Sequence, residues 1–271
     1  MKKWTWRILV LVIGVPVLLG TGVVLTLLNP GWWYDQETTL GGLRVHHLQD
    51  LNETWAAVID SAVALVKTSE LYDSDWPLHL CLDDGSPLPK WWNRMMGPAF
   101  GFGYANIVVL GSEAKPEENQ AWYADRLWEL DRLLAHEMIH CYQFNAFGWE
   151  TRSTPIWQHE GYAEIISKGN WPYDDLAESM TWYLAEIEQH PGDNWLVLPS
   201  GIGVPTEYYH HYLMVSYWVE GKGLTYRELL AQNPAQQEST QQLNSWYEEQ
   251  RARLVSPEEP LPVEDDESAP K

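Results

Sequence analysis

Two pairs of side chains, each spaced four residues apart, constrain this chain more than anything else in it. The first is His136 and His140 in "LLAHEMIHCYQF", residues 133–144. On a helix, positions i and i+4 share a face, so two imidazole nitrogens can serve one tetrahedral metal ion. Glu137 lies about 100° round the same turn, too far to be a ready third ligand but able to reach a water on the metal. The second pair is Glu160 and Glu164 in "STPIWQHEGYAEIISKGN". Nineteen residues separate His140 from Glu160. His159, Glu164, Glu178, Glu186 and His190 also follow His140 and are candidates for a third ligand. Of these, Glu160 is placed to complete a metal site, and Glu164 to accept a hydrogen bond from a ligand imidazole and fix its tautomer. His159 points about 100° away from Glu160 on one helix, so the two cannot serve equally, and Glu160 is preferred.

The chain is 271 residues long and carries a formal charge of −21, from 38 acidic and 17 basic residues. Nucleic-acid phosphates demand Lys and Arg, so this balance excludes a nucleic-acid partner. By the same reasoning it argues against docking on an anionic membrane surface. Residues 256–271, "SPEEPLPVEDDESAPK", are acidic, Pro-rich and without aromatics, and are expected to be a disordered tail.

The N-terminus opens with Lys2, Lys3 and Arg7, followed by an uncharged run from Ile8 to Leu28. As a helix it would span about 31 Å, the thickness of a hydrocarbon core. Trp4 and Trp6 flank one end, and Trp32, Trp33 and Tyr34 the other, as interfacial aromatics do. No base follows until Arg44, so the positive-inside rule puts residues 1–7 in the cytoplasm and the rest outside. Residues 1–34 are therefore expected to be a cytoplasmic stub and single-pass transmembrane anchor. Were the segment a cleaved signal instead, the product would be secreted or periplasmic. Cys81 and Cys141 either form one disulfide or are two buried thiols.

Residues 35–255 read as one α+β domain. "DLNETWAAVIDSAVALVKTSELY" has helical spacing, and "WPLHLCL" alternates as a strand does before the turn Asp83-Asp84-Gly85. "PKWWNRMMGPAFGFGYA" reads as an irregular excursion and "YANIVVL" as a second strand. From about Glu118 the pattern is helical almost to the tail. The helix carrying the histidines is expected from Glu118 to Phe147, with Trp122, Leu127, Leu130 and Leu134 as a buried stripe. The next should start with Thr154 as N-cap and Pro155 in first position, and end at Gly169. His46, His47, His79 and His190 lie in no ligand pattern, and Tyr217 and Trp218 read as core.

"HEMIH" followed by "PIWQHEGYAE" resembles the gluzincins, the zinc metallopeptidases that include thermolysin and the aminopeptidase N type. Trp157, Glu160, Gly161 and Ala163 match that family's W-x-x-E-G-x-A. The resemblance covers about residues 100–223. It implies a zincin-like fold with a small sheet, an edge strand over the cleft, an active-site helix and a mainly helical C-terminal half. It implies one Zn²⁺ per chain on His136, His140 and Glu160, Glu137 as general base and Glu164 as an outer acid. The substrate would be a peptide or protein. "GFGYANIVVL" sits where the family has its edge strand, with Gly101 or Gly103 allowing close approach. The family's aminopeptidases carry an acid there to bind the α-amino group. This chain has none between Gly101 and Leu110, which favours an endopeptidase. A Tyr or His from a later helix stabilises the oxyanion in the family. In "TEYYHHYLMVSYWVEGKG" Tyr209 aligns best, with Tyr208, His210, His211 and Tyr212 competing. Two other readings remain: a non-catalytic binding or assembly module, and a zinc hydrolase of a non-peptide amide or ester. The oligomeric state is not legible.

Overall fold

The computed structural model describes Thr26, residues 29–168, Tyr173 and residues 175–255. The expected anchor (8–28, apart from Thr26), the Gly169 stop and the acidic tail lie outside the described residues. Among those described, no helix is long and apolar enough to cross a membrane.

The first half builds a five-stranded sheet in the order β1-β2-β3-β5-β4. The strands are β1 (Gln36–Leu40), β2 (Leu43–His47), β3 (His79–Cys81), β4 (Gly101–Tyr104) and β5 (Ile107–Leu110). β2, β3 and β5 run parallel, while β1 and β4 pair antiparallel at the two edges. Helix α1 (Glu53–Val66) packs on this sheet through Val58, Ile59, Ala62 and Val66, and the Asn52 side chain caps it by accepting from the Trp55 N–H. The stretch after β3 is more regular than its composition suggests. Pro87–Met96 forms helix α2, with Ser86 as N-cap and Pro87 in the position where a missing N–H costs nothing.

A larger departure follows. Residues 113–129 form a three-stranded antiparallel sheet, β6 (Glu113–Lys115), β7 (Gln120–Tyr123) and β8 (Arg126–Glu129), although a helix is expected from Glu118 onward. Trp122 and Leu127 face each other across this hairpin instead of lining a helix. The histidine helix, α3, begins only at Leu130 and runs to Phe147. Asn119 fixes that start: its side-chain oxygen accepts from the Asp131 N–H, and its amide donates to Asp131. Nearly every residue from Leu130 to Gln143 is buried, so α3 is a core helix with no polar face.

The C-terminal half is mainly helical, with α4 (Ile156–Ser167), α5 (Leu176–Gln189), α6 (Thr206–Ser216), α7 (Tyr226–Gln232) and α8 (Gln236–Val255). A short hairpin, β9 (Trp195–Val197) with β10 (Gly203–Pro205), interrupts it. Pro155 is the N-cap of α4 and Thr154 lies one residue before it, a shift of one from expectation. Tyr217 and Trp218 are buried as expected. α4 crosses α6 in backbone contact: a Cβ on Gly161 would lie 2.4 Å from the His211 carbonyl oxygen.

Candidate metal centre

α3 and α4 bring the two sequence pairs face to face. His140 Nε2 stands 3.1 Å from His136 Nε2, and Glu160 Oε2 lies 3.3 Å from each. Three donors of different residues thus form a nearly equilateral triangle, with both histidines buried and Glu160 nearly so. A tetrahedral ion with ligand distances near 2.0–2.1 Å needs donor–donor edges of about 3.3–3.4 Å. The triangle fits such an ion without moving a backbone.

One of the two remote imidazole nitrogens is also held. His140 Nδ1 meets Gln143 Oε1 at 2.9 Å. The Gln143 amide nitrogen donates to the His159 carbonyl at 2.9 Å and to the Tyr226 hydroxyl at 3.1 Å. With its NH₂ committed, Gln143 offers only its oxygen to His140, which puts the proton on Nδ1 and the lone pair on Nε2. His136 Nδ1 lies 3.3 Å from Glu164 Oε1, yet neither atom meets hydrogen-bond geometry, and both Glu164 oxygens are buried without such a partner. Burial opposes a charged His136, but Glu160 and Glu164 outweigh it and lift its pKa well above the usual imidazole value. Burial likewise opposes ionised Glu160, and His140 and His136 more than compensate, holding its pKa well below the usual carboxylate value. Buried carboxylates of this density demand positive charge, and protons on the imidazoles supply it when nothing else does.

Glu137 lies on the cleft side of the triangle. Burial pushes its pKa up, against the pull of His136 and His140 and of the nearby Gly103 N–H. Edge strand β4 lies directly on α3 here. A Cβ on Gly103 would fall 2.0 Å from the Glu137 carbonyl oxygen, and one on Gly101 would fall 3.0 Å from its Cγ. Gly103 is therefore required by close approach to backbone, whereas a side chain at 101 would press only on the Glu137 side chain. Trp157, Gly161 and Ala163 touch no metal position: they are buried, and Gly161 seats α4 on α6.

Tyr209 does not reach the cleft. Its ring is buried 5.0 Å from Trp182 and stacks on Tyr183, on the far side of α6. Tyr208, one residue earlier and so about 100° round the helix, lines the cleft instead. Its ring lies parallel to His136 at 6.3 Å, and the charges of Glu160, Glu137 and Glu164, after burial, raise its pKa beyond the normal phenol range. His210 stacks on Tyr183, and His211 is wholly buried. His159 stacks on His140 at 4.4 Å with its Nδ1 3.7 Å from Glu160 Oε1, a neighbour of the triangle and not a corner of it. Glu178, Glu186 and His190 lie on or at the end of α5, outside the triangle. Cys81 and Cys141 are both buried free thiols.

The cleft is about 740 Å³. Aromatic side chains dominate its walls, among them Trp92, Phe100, Phe102, Tyr104, Trp128 and Trp195. Arg126 stacks on Trp195, 4.1 Å above the ring. Comparison with protein-family models, with curated proteins and with solved structures finds no match for this chain.

Proposed function

We propose that this chain is a zinc-dependent peptidase, its domain of residues 35–255 held outside a membrane by the N-terminal run, acting on extended peptide or protein segments. The observation that carries the reading is the convergence of His136 Nε2, His140 Nε2 and Glu160 Oε2 beside the buried Glu137 carboxylate. The likeness of the two motifs to the gluzincins supports the same reading, and with it a zincin-like arrangement of sheet and helices.

Two imidazoles and one carboxylate are a donor set that suits zinc, which supplies Lewis acidity and brings the pKa of water down to about 7. His136, His140 and Glu160 would hold it. Glu164 and Gln143 orient the imidazoles from behind. Glu137, with its pKa raised by burial, takes a proton from the attacking water and returns it to the leaving amine. The Tyr208 hydroxyl stays protonated and donates to the oxygen on which negative charge develops. β4 pairs with β5 on one side only, so its outer edge offers backbone groups to an extended substrate. Aromatic walls favour apolar side chains beside the scissile bond. The absence of an acid on β4 leaves nothing there to bind an α-amino group, which favours internal cleavage.

The test is metal analysis joined to peptide-library cleavage. One zinc per chain is expected at neutral pH. Glu137→Gln should retain that zinc and lose about 10²–10⁴-fold in cleavage rate. Protein that binds no stoichiometric zinc, or a Glu137→Gln variant as active as the parent, would defeat the proposal.

A further inference from the structure

The negative charge of this chain is unevenly distributed. Residues 86–112 contain no Asp or Glu, and they include Lys90 and Arg94. Both bases lie on α2 and are exposed. Trp91 and Met95 stand next to them at 44% and 46% exposure. At 100° per residue, Lys90, Arg94, Trp91 and Met95 occupy an arc of about 140°. The arc has two bases along one side and two large apolar groups along the other. Leu88 and Trp92, which border the apolar side of this arc at about 160° and 200°, are buried in the core. Among the described residues neither Lys90 nor Arg94 has an ion-pair partner within 4 Å, although Asp83 lies near enough to feel Lys90.

The position of α2 suggests what covers this face. The apolar run of residues 8–28 ends just before Pro30–Trp32. Trp33 then packs against the cluster that holds Leu88 and Trp92, and Ser86 Oγ donates to the Trp33 carbonyl. Trp32 stands 67% exposed beside this junction. On its other flank α2 meets the cleft, which Trp92 and Met96 line next to β4. One short helix therefore joins the exit of the N-terminal run to the mouth of the cleft. Exposed Trp and Met rimmed by Lys and Arg are the composition of a helix lying in the headgroup region of an anionic bilayer.

We propose that the exposed face of α2 rests on the anionic lipid surface of the membrane in which residues 8–28 are anchored. It thereby holds the cleft mouth at that surface, where substrates would be segments of other membrane proteins close to the bilayer. The inference rests on the anchored-peptidase reading for the substrate, and only on the anchor for the contact itself. The whole-chain charge of −21 argues against such contact, but screening confines charge effects to about 8 Å at physiological salt, so the local patch decides.

The experiment uses the full chain reconstituted in nanodiscs containing phosphatidylglycerol. A nitroxide is placed at Met95→Cys and, for comparison, at Gln241→Cys on α8. The native cysteines are buried and do not compete for the label. Relaxation by dissolved oxygen relative to a water-soluble nickel chelate reports immersion. At Met95→Cys this ratio should exceed that at Gln241→Cys at least threefold, and Lys90→Glu with Arg94→Glu should bring the two together. Equal ratios at the two sites, or immersion that survives the charge reversal, would overturn the proposal. Alkaline extraction of the same chain from vesicles reads the anchor separately, and a chain that washes off overturns the contact with it. None of these readouts uses cleavage, so failure of the zinc-peptidase reading is seen apart from failure of this one.

Discussion

Two histidine pairs lie in this molecule with nearly the same spacing and opposite character. In the sheet, His46 on β2 and His79 on β3 stack 5.1 Å apart with His46 Nε2 2.8 Å from His79 Nδ1. On α3, His136 and His140 meet edge to face with their Nε2 atoms 3.1 Å apart. In the sheet pair one ring donates to the other, His46 Nδ1 is buried without a hydrogen-bond partner, and the nearby carboxylate, Glu37, is half exposed at 3.7 Å from it. In the helix pair His140 Nδ1 is held by Gln143, His136 Nδ1 faces the buried Glu164 at 3.3 Å, and both Nε2 atoms converge with Glu160 Oε2. Proximity of two histidines therefore means little. Convergence of both Nε2 atoms with a carboxylate oxygen distinguishes a group that could hold a metal ion from a packed pair. The charge balance follows: burial, then His79, lowers the pKa of His46 to about 4, whereas the carboxylates raise that of His136.

The largest expected effect breaks the comparison outright. His140→Ala should abolish stoichiometric zinc, while His79→Ala should leave one zinc per chain by elemental analysis. Zinc lost equally from both would show that the pairs do not differ as described. Next in size is the pair Tyr208→Phe and Tyr209→Phe. The first should lower kcat by about 10²-fold or more through a lost oxyanion donor. The second, in the core, should change kcat little and lower Tm. A third measurement concerns acid. The folded pKa of His46 lies below the ordinary value near 6.5, so between pH 6.5 and about 4 the unfolded chain binds the more protons. Stability from this group is complete above pH 6.5 and falls as the pH drops toward 4, by at most about 3 kcal/mol. Urea melts of His46→Gln across that window should show a visibly shallower loss than the parent. The smallest effects lie behind the ligands: Glu164→Gln and Gln143→Leu should each weaken zinc by about 10–100-fold in competition with a chelator. Unchanged affinity in both would mean that the outer acceptors do not prepare the imidazoles.

The sequence shows the centre better than the frame around it. His136, His140, Glu160 and Glu164 declare themselves by helical spacing, because metal geometry and helix geometry use the same i, i+4 step. Gln143 escapes notice because a buried glutamine one turn past a histidine has no pattern of its own, and its role depends on Tyr226, 83 positions away. Tyr208 and Tyr209 cannot be told apart without the helix phase. The 113–129 sheet is hidden for a different reason. Its tight turn is made by Ala124 at φ 54°, and the β4–β5 turn by Ala105 at φ 53°, where glycine or asparagine is the usual signal. The helix that follows is buried on all sides, so no polar face marks where α3 begins. Composition likewise concealed α2, whose prolines and tryptophans look irregular until Ser86 and Pro87 are seen as its cap.

The contact at Gly161 has a consequence for how this site can change over time. Glu160 and Tyr208 belong to different helices, yet Gly161 and His211 bring those helices together within one turn of each residue. Relieving the 2.4 Å clash of a β-carbon there to an ordinary 3.4 Å would part α4 and α6 by about 1 Å. A displacement of that size at reacting groups can cost about 10²-fold in rate. The spacing between Glu160 and Tyr208 is thus set by a missing methyl group, so a single codon change at position 161 would reset a distance that neither residue controls.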